Sequence, residues 1–134
     1  MATISDIEGI GPVFEEKLKL AGIRSVNQLL EKCSTQQGRK QTAEKTGIEE
    51  SALLKWANMA DLYRIKGIGC EYSQLLERAG VDTVKELRNR VPVNLLEKMI
   101  EINRAKRLVR RIPPLRKVEE FVGHAKTLEP MITY

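Results

Sequence analysis

Seven cations fall between residues 104 and 117: Arg104, Lys106, Arg107, Arg110, Arg111, Arg116 and Lys117, with no carboxylate between Glu101 and Glu119. Guanidinium and ammonium groups without interleaved acids are suited to holding phosphate or carboxylate oxygens. Two glycine turns, Gly9-Ile10-Gly11 and Gly67-Ile68-Gly69, offer a second means to the same end. A glycine turn that opens a helix directs unpaired backbone N–H groups and the positive end of the helix dipole outward, where a phosphate oxygen can be held. Lys66 and Lys17 are the cations nearest the turns in sequence.

These residues need helices to position them. The segment Ile7-Glu8-Gly9-Ile10-Gly11, continuing to Leu18, Ala21-Gly22-Ile23, Val26 and Leu29, returns as Ile65-Lys66-Gly67-Ile68-Gly69, then Leu76, Ala79-Gly80-Val81, Val84 and Leu87, at one offset of 58. A fixed offset without a gap means one supersecondary unit used twice. In each copy apolar residues follow the turn at helical spacing, so the unit reads as helix, tight turn, helix. The two glycines supply backbone conformations costly for residues with a Cβ, and Ile10 and Ile68 plug the space between helices. Pro12 suits a first helical position, Gly22 and Gly80 left-handed caps, and Ser25 and Thr83 N-caps, with Gln28 and Glu86 completing capping boxes.

The turn, the Ala-Gly-Ile/Val stop and the capped helix that follows, twice in register, resemble the helix-hairpin-helix motif of DNA-handling proteins. The variety is that of recombinase N-terminal domains and the C-terminal domain of the RNA polymerase α subunit. The whole chain also resembles a family of small prokaryotic all-helical proteins with two such hairpins and no assigned function. The resemblance implies phosphate gripping at Gly67, Ile68 and Gly69 with Lys66, and more weakly at Gly9, Ile10 and Gly11 with Lys17. Such contacts position a protein on the backbone without specifying bases. The chain departs from the DNA-binding pattern. Where binding versions often carry a cation two residues past the second glycine and Ala four past it, this sequence has Val13 and Glu15, then Glu71 and Ser73. Pro12 removes one donor from the first turn, and Glu8, Glu15 and Glu16 surround it with negative charge.

The chain has 134 residues and a net charge of +5, with 42% hydrophobic and 4% aromatic side chains, enough for one core of Leu, Ile, Val and Ala. Residues 1–58 balance eight acids against eight bases, so the excess is the patch at 104–117. A helix over 94–111 would put Leu95, Met99, Ile102, Ala105 and Val109 on a core face, with Arg104, Arg107 and Arg111 opposite and Lys106 and Arg110 flanking. Two readings of that face stand: a surface for a polyanion or an acidic partner, or a solvated face whose cations suit the helix C-terminus.

Between the hairpins, 41–56 has the spacing of a helix-turn-helix unit, with 49–61 as its second helix. Glu49 and Glu50 at that helix's start oppose entry into a groove between phosphates, so a packed helical pair with Trp56 in the core is the alternative. Arg39 and Lys40 at its start are further candidate phosphate contacts. No paired carboxylates, Ser/His/Asp set, P-loop or dinucleotide fingerprint is present, and Cys33, Cys70 and His124 have no ligand-like spacing. Cys70 reads either as a thiol activated at a helix start or as a small filler. His124 reads as half-exposed.

An all-α protein of about eight to ten short helices is expected, as one compact pseudo-symmetric domain of two related halves, near 1–60 and 61–134. Pro113-Pro114 turns the chain before a last helix near 115–128, and the tail leaves that helix at Pro130. The expected function is non-enzymatic, largely sequence-independent nucleic-acid binding, DNA more than RNA. The alternative is a scaffold docking an acidic protein. No metal, cofactor or membrane is expected, and the location expected is cytoplasmic, since no apolar run approaches a membrane span or leader.

Overall fold

Hydroxyl side chains or prolines mark most helix starts, and left-handed residues mark several ends. In the computed structural model, which describes residues 3–134, these signals divide the chain into a 3-10 turn at Ile4–Asp6 and eight α-helices. They are α1 (Pro12–Leu20), α2 (Val26–Cys33), α3 (Gln36–Thr46), α4 (Glu50–Leu62), α5 (Cys70–Arg78), α6 (Val84–Arg88), α7 (Pro92–Lys106) and α8 (Leu115–Thr127). Among the described residues there is no strand, only an isolated bridge between Thr3 and Ser25.

Ser25, Thr35 and Thr83 each accept a first-turn N–H, from Gln28 at 3.1 Å, Gly38 at 3.0 Å and Glu86 at 2.9 Å. The expected capping boxes are one-sided. Gln28 Oε1 accepts from Arg24 N–H instead of Ser25, and Glu86 turns toward Arg90 at 3.5 Å. Pro12 occupies the first turn of α1 as expected. The ends of α1 and α5 are matched: Ile23 N–H donates to Leu18 C=O at 2.9 Å and Val81 N–H to Leu76 C=O at 2.8 Å, around Gly22 and Gly80. These are Schellman closures, which occupy carbonyls the helix leaves unpaired.

The chain divides into two compact units, one running to Asp61 and including Met131–Tyr134, the other Leu62–Pro130. In the first, α3 packs on α1 and α2, and Ile4, Ile7, Leu18, Leu29, Leu53 and Trp56 are buried. The approach of α2 to α3 is so close that a Cβ on Gly38 would overlap the Lys32 carbonyl oxygen. In the second, α8 packs on α6 and α7, and α5 on α7, over Leu75, Leu76, Leu87, Leu95, Met99, Val118 and Phe121.

Each Gly-Ile-Gly turn buries its Ile, 5% exposed in both. The expectation that both glycines of a turn need glycine's freedom is corrected. Of the turn glycines only Gly9 and Gly67 have positive φ, +97° and +93°, and at each, though exposed, a ring stands where a Cβ would go: it would come 3.1 Å from Trp56 Nε1 and 3.0 Å from Phe121 Cε1. Gly11 and Gly69 are extended N-caps with open space around them. Phe14 packs at a tilt 5.3 Å from Trp56, and Tyr72 at 6.0 Å from Phe121.

The helix expected over 94–111 is also corrected. It ends at Lys106, and Arg107 adopts a left-handed conformation, φ +49°, with its N–H on Asn103 C=O at 2.8 Å. The cause is Asn103. Its Oδ1 accepts from Val109 N–H at 3.0 Å and its Nδ2 donates to Val109 C=O at 3.1 Å, which turns the chain out of the helix and buries Val109. Asn competes with helical bonding through such local side-chain bonds. Ala105, expected on the core face, is exposed, and Ile102 is half-buried.

Candidate functional site

The end of α7 converts the basic run from a helix face into the wall of a cleft. Glu71, Ile100, Asn103, Arg104, Arg107, Leu108, Val109, Arg110 and Ile112 line an open hollow of about 760 Å³ in the second unit. Arg104 comes from the last turn of α7, while Arg107 and Arg110 come from the segment that Asn103 folds back. All three are exposed, and among the described residues none has a carboxylate within ion-pair distance. Ile100, Leu108 and Ile112, each half-buried, supply apolar surface between the cations. Glu71, in the first turn of α5, is the one acid in the lining.

Three of the expected binding residues therefore meet here, and the others do not line the hollow. The expected grouping of Arg104, Arg107 and Arg111 on one helix face is overturned because Arg107 and Arg111 lie beyond the helix. Arg111 is exposed and its carbonyl accepts from Tyr72 Oη at 3.4 Å. Lys106 is the exposed last residue of α7, and Arg116 is exposed on α8. Lys117 lies 3.3 Å from Glu120, so its charge is partly matched.

Lys66 is exposed in the second glycine turn, and its backbone N–H donates to His124 Nδ1 at 3.1 Å. His124 is thus more than a half-exposed surface residue: it fastens the turn to α8. Gly67 is exposed with Phe121 on the side a Cβ would take, Ile68 is buried, and Gly69 caps α5, whose first turn carries Glu71 at the cleft. In the first unit Gly9 lies against Trp56, Ile10 is buried, Gly11 caps α1, and Lys17 Nζ sits 5.9 Å from the Phe14 ring centre.

Arg39 is a correction. It is 4% exposed, and its guanidinium donates to the carbonyls of Cys33 at 3.0 Å, Ser34 at 3.1 Å and Thr133 at 2.6 Å. A group committed to three internal carbonyls does not reach a phosphate. Lys40 remains exposed on α3. Glu49 and Glu50 are exposed at the start of α4, and Trp56 is buried, so that helix is packed as the second of the two earlier readings has it.

The cysteines have different surroundings. Cys33 is fully buried, and that burial pushes its thiol above the ordinary range against smaller opposing effects of Thr42, Arg39 and Lys32. Cys70 is half-buried at the start of α5, with Gln74 Nε2 3.3 Å from its sulfur. Among the described residues no cluster of three His, Cys, Asp or Glu could hold a metal, and no helix is long and apolar enough to cross a membrane.

Fold and site together define a small all-α protein with a cationic cleft partly lined by aliphatic side chains. Residues 8–128 match the family described as a domain of unknown function, DUF4332, and the chain belongs to that family. No curated protein and no solved structure matches it.

Proposed function

We propose that this chain is a non-enzymatic nucleic-acid-binding protein that engages backbone phosphates, DNA more than RNA, through the Arg104, Arg107 and Arg110 cleft. The observation that carries this reading is three unpaired guanidinium groups converging on one hollow that contains a single carboxylate. Guanidinium forks match phosphate oxygens bidentately. Lys106, Arg111 and Arg116 extend the positive surface, and the Gly67-Ile68-Gly69 turn adds the N-terminal end of α5.

The same proposal reads the two glycine turns as tandem helix-hairpin-helix repeats in a pseudo-symmetric chain. Supporting it, Gly9 and Gly67 share both the offset of 58 and the left-handed conformation, and Phe14 and Tyr72, again 58 apart, each pack at a tilt against the ring beside the glycine of its own unit. A second reading, an acidic protein partner, draws on the aliphatic lining between the arginines, which would suit peptide side chains.

The test is titration of labelled DNA and RNA of mixed sequence at two salt concentrations, with the Arg104→Glu/Arg107→Glu/Arg110→Glu variant alongside. Three phosphate contacts on duplex DNA predict about a fortyfold loss of affinity for a fourfold rise in salt, and no binding by the variant. Absence of binding at low salt would refute the reading.

A further inference from the structure

A duplex keeps its bases stacked and paired and offers a protein surface chiefly phosphates, which make no use of apolar lining or of a carboxylate. The Arg104/Arg107/Arg110 cleft has two features that phosphates alone do not explain: aliphatic lining, Leu108 and Ile112 among it, and Glu71. Toward a phosphate, an acidic peptide or a free carboxylate, Glu71 is only repulsive. Toward a nucleobase it is an acceptor for ring N–H and amino groups.

We infer that this cleft takes an unpaired nucleotide, with its base on the aliphatic lining, its N–H edge on Glu71, and its flanking phosphates on the three arginines. The inference rests on the nucleic-acid reading above and narrows it to single strands. Unpaired bases are recognised on their Watson–Crick edges, and guanidinium planes as well as aromatic rings stack on them. With the arginines given to the phosphates, the base rests on Leu108 and Ile112 by apolar contact alone. Glu71 also ranks the bases. Guanine presents a ring N–H and an amino group side by side, a bidentate match to a carboxylate. Thymine and uracil flank their one ring N–H with two carbonyl oxygens that repel it.

The experiment is fluorescence anisotropy with labelled oligonucleotides of equal length: an all-thymine strand, the same strand with isolated guanines, and a duplex of that second strand. A polyglutamate peptide serves as competitor, and Glu71→Gln, an exposed change, is compared with the unaltered chain after its thermal melt is shown to be unchanged. The expected result is about tenfold tighter binding of the guanine strand than of the thymine strand, and weaker binding of the duplex than of either. In Glu71→Gln the guanine preference shrinks while the thymine strand binds more tightly. Duplex binding as tight as the single strands, or a guanine preference that survives Glu71→Gln, overturns the inference and leaves phosphate binding standing. Failure of every nucleic acid to bind, or displacement by polyglutamate at lower concentration than by any oligonucleotide, overturns both.

Discussion

One substitution, made at the two glycines of a single turn, should have opposite effects. At Gly9, φ is +97° and an added Cβ meets Trp56 Nε1 at 3.1 Å; at Gly11, φ is −86° and no atom lies within 4 Å. In Gly9→Ser a side chain in a left-handed conformation costs roughly 1–2 kcal/mol, and displacing a packed indole adds on the order of 1 kcal/mol. The stiffer unfolded chain returns about 0.5 kcal/mol, leaving a net loss of about 1.5–2.5 kcal/mol. Gly11→Ser places an acceptor oxygen at the N-cap of α1, a better cap than glycine by a few tenths of a kcal/mol, and gains about 0.5 kcal/mol from the unfolded chain. Urea titration followed by the fluorescence of Trp56, the one tryptophan, reads both changes. Equal effects of the two substitutions, or a larger loss at Gly11, would show that the ring contact and backbone geometry do not fix this turn.

Gly38→Ala should cost about 2–3 kcal/mol, because its Cβ meets the backbone of Lys32 and neither helix can yield a side chain instead; a loss under about 0.5 kcal/mol in urea titration would contradict the close approach of α2 and α3. Arg39→Met removes the guanidinium donor from the carbonyls of Cys33, Ser34 and Thr133, of which Ser34 keeps the Thr133 N–H, and should cost about 2–4 kcal/mol. Hydrogen exchange at Thr133 N–H, which donates to Ser34 C=O at 2.7 Å, should speed up in that variant, and unchanged exchange would mean the tail is held by other contacts. The Cys33 thiol is raised in the folded chain by burial. Above its unfolded value, near 8.5, the unfolded chain releases a proton the folded one keeps, so stability contributed by this group is full below that pH and declines above it until the folded thiol ionises. The fall in stability between neutral and alkaline pH should therefore be shallower in Cys33→Ala, and parallel profiles would refute the assignment.

Local signals made the helices readable: Ser25 and Thr83 before α2 and α6, Pro12 at the start of α1, and Gly22 and Gly80 past the ends of α1 and α5 each act within a few residues of their own position. The buried Ile10 and Ile68 followed from the same pattern. What periodicity could not show was which of two adjacent glycines bears the conformational demand, since the answer lies in Trp56 and Phe121, each more than forty residues away. Nor could it show that Arg39 is spent inside the protein. A lone arginine followed by Lys40 looks like a pair of surface cations until a tail ninety-four residues further on supplies the Thr133 carbonyl.

The candidate site illustrates the same division at closer range. Charge spacing located the basic run, but apolar periodicity continued α7 through Val109 and so placed the arginines on a convex face. Asn103 reverses that geometry with two hydrogen bonds, and the reversal changes what the arginines are suited to bind. On a straight helix they would diverge into solvent and each would meet phosphate separately. Beyond a helix end they share a hollow with aliphatic surface and with Glu71 from α5, the combination on which the proposed preference for an unpaired nucleotide rests. Asn103 lines the hollow yet spends both polar atoms on Val109, so its contribution is to place Arg107 and Arg110. The one clue in the sequence was Asn near the end of an apolar-periodic run. Asn there competes with the helix for backbone partners, whereas the intervening arginines carry no such signal.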